Sequence, residues 1–259
     1  MAIASVLAIA AALFAFLFST PVQQSAHSKP TTSGTSFECP KHSLFLTAHP
    51  DDECMFFGPT IISLVSSGCQ VSALCLSKGD SDGIGELRAQ ELYASYSRLG
   101  VNASHVTLID HPDLQDSIAR YWEPTLVSSI LRNHTERLGI DTVLTFDSAG
   151  ISGHPNHISL LNGALHLASQ LPEGRIAIYS LRTNPVLSKY SGILWPTYHR
   201  IMWMMNSGSQ VPIHRFISSL RGYATAYAAM QAHWSQLVWF RWLYILNSQY
   251  MWMNEWTEI

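Results

Sequence analysis

Charge is scarce in this chain. Asp, Glu, Lys and Arg make up 13% of its 259 residues, about half the ~25% usual for soluble domains. The formal net charge is −3 and no basic run is present, which argues against nucleic acid as a partner. The four cysteines, Cys39, Cys54, Cys69 and Cys75, lack CxxC spacing. That argues against a thiolate zinc site, and they read as buried thiols rather than a disulfide framework. No internal repeat is visible. No Lys or Arg precedes the apolar N-terminal stretch, as one would in a secretory signal.

What fills the chain instead is apolar: 47% of it is hydrophobic, enough for one sizeable domain with appendages but far from a polytopic membrane protein. Residues 2–18, AIASVLAIAAALFAFLF, carry no charge over 17 positions, at the short end of the ~17–25 needed to span a bilayer. Lys29 and Lys41 follow it, so the positive-inside rule puts the rest of the chain in the cytoplasm. The expectation is a single transmembrane anchor over residues 1–19, in preference to a cleaved signal. A flexible Ser/Thr/Gln/Pro-rich tether over 20–42 and a main domain over 43–259 then follow. Asn102-Ala103-Ser104 and Asn133-His134-Thr135 become glycosylation acceptors only if the domain faces a lumen.

The last part of the chain differs in kind. From residue 190 onward there are four arginines (Arg200, Arg215, Arg221, Arg241) against Glu255 and Glu258, and seven of the eight tryptophans. Such interleaving suits a membrane–water interface and equally an aromatic core or subunit contact. Trp234, Trp239, Arg241, Trp242 and Trp252 are the candidates for docking on headgroups.

Between these ends, short apolar runs alternate with helical periodicity. Strands are expected at 43–48, 71–76, 105–110, 141–146 and 175–181, with helices at 55–67, 85–99, 123–138 and 155–170. That order predicts an α/β fold: a Rossmann-like, mainly parallel sheet with helices on both faces. In such sheets ligands bind beyond the carboxyl ends of the strands.

Two polar clusters fall there. The first, TAHPDDE after the first strand, carries His49, Asp51 and Asp52. The second, FDSAGISGHPNH after the fourth, carries His154 and His157. His49 with Asp52, and His154 with His157, are each three apart at a helix start, a spacing that shares one face. His49, Asp52 and His157 make a three-ligand set of the kind catalytic zinc takes, with a position open for water. Asp51 and His154 remain as general base and oxyanion donor. Asp after Pro is also ordinary turn and cap chemistry, and spacing alone neither names the metal nor proves that the loops meet.

These motifs, AHPDDE and GISGHPNH, resemble those of the PIG-L or LmbE-like zinc deacetylases. The resemblance runs from about residue 45 onward and includes GELRAQEL, TFD and the late SQLVWFRWLYILNSQYMWMN. It implies one Zn2+ held by His49, Asp52 and His157, with Asp51 as base. It implies a protonated His154 that stabilises the oxyanion and serves the leaving amine. Arg88 matches an arginine expected at the substrate phosphate, although a surface salt bridge with Glu86 or Glu91 is an equally plain reading. The late aromatic stretch and the apolar N-terminus point to the family's lipid-linked branch. For that branch the implied reaction is deacetylation of N-acetylglucosaminyl-phosphatidylinositol in glycosylphosphatidylinositol-anchor synthesis, at the endoplasmic reticulum membrane with the domain facing the cytoplasm. A deacetylase of soluble N-acetylglucosamine conjugates and a non-catalytic lipid-binding relative are the alternatives. Asn156 stands where the bacterial branch usually has an aspartate, so the partner of His154 is open. Asp147 is one candidate, with turn capping as its other reading. His111 and Asp113, after the third strand, are candidates for substrate contact, though a plain polar loop is the stronger reading.

Overall fold

The alternation of strand and helix resolves into one sheet. The computed structural model describes residues 2–24, 39–205 and 213–259. Its strands are β1 (Val22–Gln24), β2 (His42–Thr47), β3 (Gln70–Cys75), β4 (Val106–Leu108), β5 (Thr142–Phe146), β6 (Ala177–Leu181), β7 (His214–Ile217) and β8 (Met253–Glu258). They lie side by side in the order β1-β7-β8-β6-β5-β2-β3-β4. β2 through β6 pair in parallel, whereas β8 joins β6 and β7, and β1 joins β7, in antiparallel register.

Every residue of β2 and β5 is buried, as expected of parallel strands covered on both faces, which read as near-continuous apolar runs rather than alternating ones. Helices Pro124–Leu138 and Pro155–Ala168 pack closely on each other. Gly163 leaves no room for a side chain between them, since a Cβ there would sit 2.2 Å from Val127 Cγ1. A second group joins helices Gly58–Ser66, Gly85–Leu99 and Leu220–Ala232. The chain leaves β2 for β3 and β4 on one side, then returns to β5 on the other. That reversal opens a crevice at the carboxyl end of β2, the place where open α/β sheets bind ligands.

Several expectations need correction. The helix expected over 55–67 is two, Asp52–Phe56 and Gly58–Ser66. The break falls at Phe57, before Gly58 and Pro59, and Pro is at home in a helix's first turn. The antiparallel strands β7 and β8 gave no period-2 signal, because both are buried along most of their length. Three residues of the expected tether form β1, and residues 25–38 lie outside the described part. Cys39 and Cys69 are joined in a disulfide with a Cα–Cα distance of 5.5 Å, a pairing invisible in sequence because 30 residues separate them. Cys54 and Cys75 are free and buried, as expected.

The apolar N-terminal stretch forms a helix over Ala2–Leu17, 16 residues long. Among the described residues no helix is long and apolar enough to cross a membrane. At ~1.5 Å per residue this one reaches roughly 24 Å, against a hydrocarbon core of ~30 Å. Leu13 and Phe16 on it are exposed at 56% and 70%. Just past its end Phe18 is fully buried, edge-on to Trp252 at 5.5 Å and beneath the Arg200 guanidinium at 5.1 Å.

Candidate active site

Two strained turns carry the polar clusters. Asp51, between β2 and helix Asp52–Phe56, has φ 113°, and Ile151, after β5, has φ 63°. They are the two non-glycine residues at positive φ among the described residues. Such conformations cost ~1–3 kcal/mol each and persist only where the surroundings over-determine them. Here they do. The Asp51 N–H donates to Glu53 Oε2 at 3.1 Å and the Ile151 N–H to Thr183 Oγ1 at 2.9 Å. Lys189 Nζ donates to the Ile151 carbonyl.

The turns bring the two clusters together. His49, Asp52 and His157 each present a ligand atom, all within 4.8 Å of one another and all buried. Asp52 Oδ2 accepts the N–H groups of Ala48 at 2.9 Å and His49 at 3.0 Å. Its Oδ1 is thereby turned toward His157 Nε2, 3.2 Å away. The other nitrogen of His157 faces the Gly150 carbonyl at 3.2 Å, and its ring stacks on Phe146 with centroids 4.0 Å apart. A backbone partner on one imidazole nitrogen leaves the other free for a metal. The donor set N, O, N, with two ligands about one tetrahedral edge apart, fits a divalent ion at bond lengths of ~2.0–2.2 Å.

The electrostatics match. Burial opposes ionisation of Asp52, but attraction from His157 and His49, with the hydrogen bonds, holds its carboxyl well below the usual range. His157 is pushed up, burial being outweighed by Asp52. Asp51 moves the other way: burial raises it, against the pull of Arg241 and Arg88. His154 is lowered to about 4, by burial first and then by repulsion from His157 and His49. Geometry places one proton on the His154 ring. Its Nδ1 accepts the Asn156 N–H at 3.2 Å, so the hydrogen sits on Nε2, the nitrogen that faces Asp116 Oδ1 at 4.0 Å.

Asn156 answers the question its position raised. Its Oδ1 accepts the Ser117 N–H at 3.0 Å and lies 3.0 Å from His49 Nε2. Its Nδ2 donates to the Arg120 carbonyl at 2.9 Å. The amide therefore ties the loop after β4 to the turn that bears His49. Asn156→Asp would set a carboxylate oxygen against that carbonyl and leave it unsatisfied. Thermal unfolding should show a loss of about 1–3 kcal/mol.

Two guanidinium groups line a cavity of about 450 Å³ around these residues. Arg88 is 6% exposed and donates to the carbonyls of Gly79 at 2.7 Å and Pro50 at 2.6 Å, so it binds the turns after β2 and β3 together. Gly79 has φ +66°, and a Cβ there would fall 2.3 Å from Arg88 Nη1. Arg241, on helix Trp239–Asn247, reaches back to Asp51 Oδ2 at 2.8 Å. Tyr244 on the same helix donates to the Met55 carbonyl at 2.8 Å. Glu53 closes the frame from beneath: Ser95 Oγ and His233 Nε2 both meet its Oε1.

Residues 44–168 match the PIG-L family, described as GlcNAc-PI de-N-acetylase. The N-acetylglucosaminyl-phosphatidylinositol de-N-acetylase of Bos taurus is 38% identical over 218 residues, 82% of this chain and 81% of that protein. A probable N-acetylglucosaminyl-phosphatidylinositol de-N-acetylase of Schizosaccharomyces pombe is 36% identical over 209 residues, covering 80% and 83%.

The chain belongs to the PIG-L family.

Among solved structures, N,N'-diacetylchitobiose deacetylase from Pyrococcus horikoshii superposes with a TM-score of 0.60 over 86% of this chain and 85% of that one. At 18% identity this is a likeness of fold alone.

The PIG-L site gathers His49, Asp51, Asp52, Arg88, His154 and His157 around one cavity. It leaves out three residues that the sequence put forward. Asp147 accepts from the N–H groups of Ala149, Gly150 and Thr183 and from Thr183 Oγ1, so it caps its own turn rather than orienting His154. His111 accepts the Asp113 N–H at 3.1 Å; with side chains 36% and 79% exposed, the two make a polar loop. From that loop Asp116 enters the cavity instead, 3.2 Å from His49 Nε2 and 3.6 Å from Arg88 Nη1. Asp116 and Arg241 were both missed. Nothing in DHPDLQDS distinguishes its third aspartate from its first two, and Arg241 read as part of an aromatic interface. Of that interface Trp234 and Trp239 are each 75% exposed, but Trp252 is buried at 6% and stacks on Tyr223.

Proposed function

We propose that this protein is a zinc-dependent N-deacetylase that hydrolyses N-acetylglucosaminyl-phosphatidylinositol to glucosaminyl-phosphatidylinositol and acetate in glycosylphosphatidylinositol-anchor biosynthesis. One observation carries the reading: a buried His49–Asp52–His157 ligand set, within 4.8 Å, beside a buried carboxylate that is not part of it. A lipid-binding relative without activity has no use for that fourth group. The names of the relatives in Bos taurus and Schizosaccharomyces pombe supply the substrate.

A bound zinc ion would polarise the acetamide oxygen and acidify a water. Asp51 takes the water's proton as the water adds to the amide carbon. Arg241 holds Asp51 Oδ2, so Oδ1 is the oxygen left to receive it. His154 meets the oxyanion with its Nε2–H, the tautomer fixed by the Asn156 amide. Asp116 faces that same nitrogen. The C–N bond then breaks, and the proton stored on Asp51 goes to the departing amine. In this account the Nε2–H of His154 is the donor, and the Asn156 N–H on Nδ1 sets its orientation.

Association with the endoplasmic reticulum membrane belongs to the same proposal. Its support is the exposed apolar surface of helix Ala2–Leu17 and of the Trp239–Asn247 helix, where Trp239, Leu243 and Leu246 are 75%, 52% and 66% exposed. The lysine pair after residue 18 favours a cytoplasmic domain. The Cys39–Cys69 bond is the observation that stands against that orientation, since such bonds are sustained in oxidising compartments. Asn102 and Asn133 are exposed, so a glycosidase-sensitive mobility shift would place the domain in the lumen and overturn the orientation.

The test is acetate release by purified protein from N-acetylglucosaminyl-phosphatidylinositol in micelles. Activity should vanish on chelation and return on adding Zn2+. Release that survives exhaustive chelation would end the metal reading. Release only from lipid-free glycosides would replace the substrate.

A further inference from the structure

The substrate class proposed above carries a phosphodiester between its sugar head and its lipid. Two guanidinium groups line the cavity where that head would sit, and they differ in what they have left to give. Arg88 is 6% exposed. Both terminal nitrogens are engaged, one by the Gly79 carbonyl and the other by the Pro50 carbonyl, while Nε is buried with no hydrogen-bond partner. It also stands 3.6 Å from Asp116 and 3.8 Å from Asp51. It holds two turns in place, and withdrawing it to meet a ligand would release both.

Arg241 is differently placed. Its side chain is 24% exposed. Nη2 donates to Asp51, but Nη1 has only the thioether sulfur of Met55. Sulfur is a weak acceptor, and an anionic phosphate oxygen is a far better partner for a guanidinium N–H. Arg241 also sits at a boundary. Its neighbour Phe240, 51% exposed, lines both the catalytic cavity and a second, apolar groove of about 490 Å³ shared with Tyr190, Trp239, Leu243 and Tyr244. An amphiphile with its acetamide at the ligand set and its lipid in that groove must pass its phosphate over this helix.

We propose that Arg241 receives the phosphodiester of the substrate, with the glycerolipid portion of the same molecule lying in the groove beside Phe240, while Arg88 is a positioning residue for the turns after β2 and β3. This rests on the substrate assigned under Proposed function, and goes beyond it by naming the cation that selects a phospholipid over a neutral glycoside.

The experiment compares acetate release from N-acetylglucosaminyl-phosphatidylinositol and from phosphate-free N-acetylglucosaminyl-inositol, for the wild type and for Arg241→Met, Arg241→Lys, Arg241→Gln and Arg88→Met. Arg241→Met should raise KM for the phospholipid about tenfold or more, the worth of a charge-assisted hydrogen bond, while KM for the phosphate-free glycoside moves little. Its kcat should fall similarly on both substrates, through Asp51. Arg241→Lys keeps a point charge for phosphate and should recover most of the KM. Arg88→Met should lower kcat on both substrates without separating them. An equal rise in KM on both substrates for Arg241→Met overturns the assignment. Should that variant not fold, Arg241→Gln decides: a KM raised alike on both substrates, or on neither, overturns it, and a rise confined to the phospholipid supports it. Wild-type protein inactive on both substrates would instead remove the deacetylase reading itself.

Discussion

Asp51→Asn should retain bound metal and lose about 10²–10⁴ in kcat, the usual contribution of a positioned general base. The substitution is a mild one for the fold. Asn is among the side chains best tolerated at positive φ, and position 51 has φ 113°. The amide oxygen can still accept from Arg241, which now meets Asp51 Oδ2 at 2.8 Å. The ligand atoms of His49, Asp52 and His157 are untouched. Only the ability to take a proton is removed. Metal analysis beside steady-state kinetics makes the check, and near-normal acetate release with full metal content would remove Asp51 from the mechanism.

Glu53→Gln should be the most destabilising single change near the site. Glu53 and His233 are both 0% exposed, and the carboxylate also serves Ser95 Oγ and the Asp51 N–H. Removing one partner of such a buried pair typically costs ~3–5 kcal/mol. The effect should depend on pH. Burial disfavours charge on both groups, but their mutual attraction wins: Glu53 is held below its ordinary 4.5 and His233 above its ordinary 6.5. The Glu53 contribution is present above 4.5 and fades as pH falls through its depressed folded value. The His233 contribution is present below 6.5 and fades as pH rises through its elevated folded value. Denaturant unfolding should therefore separate wild type from Glu53→Gln most widely between about pH 4.5 and 6.5. A difference independent of pH would mean that the pair is not ionised. Because Glu53 fixes the strained Asp51 peptide, activity should fall along with stability.

The ligand set was legible because its residues are local. His49 and Asp52 belong to one turn, His154 and His157 to another, and both turns follow strands whose apolar runs announce them. The helix Gly85–Leu99 was readable to the residue for the same reason. What sequence could not provide is contact across the fold. Arg241 reaches Asp51 over 190 positions, and His233 reaches Glu53 over 180. Asp116 differs from Asp113 only in which way its loop turns. The last strands were hidden by burial, which erases alternation, and the disulfide by distance along the chain.

The place of β8 has a consequence for synthesis. This strand lies between β6 and β7, and its Asn254 side chain donates to the Phe56 carbonyl at 2.7 Å and accepts from Thr60. A nascent chain on the ribosome can form β2 through β6 early, yet the gap beside β6 stays open until residues 253–258 emerge. The end of the helix that follows the Asp51 turn gains its Asn254 hydrogen bond only then, so the fold around the site should close only after those residues have emerged.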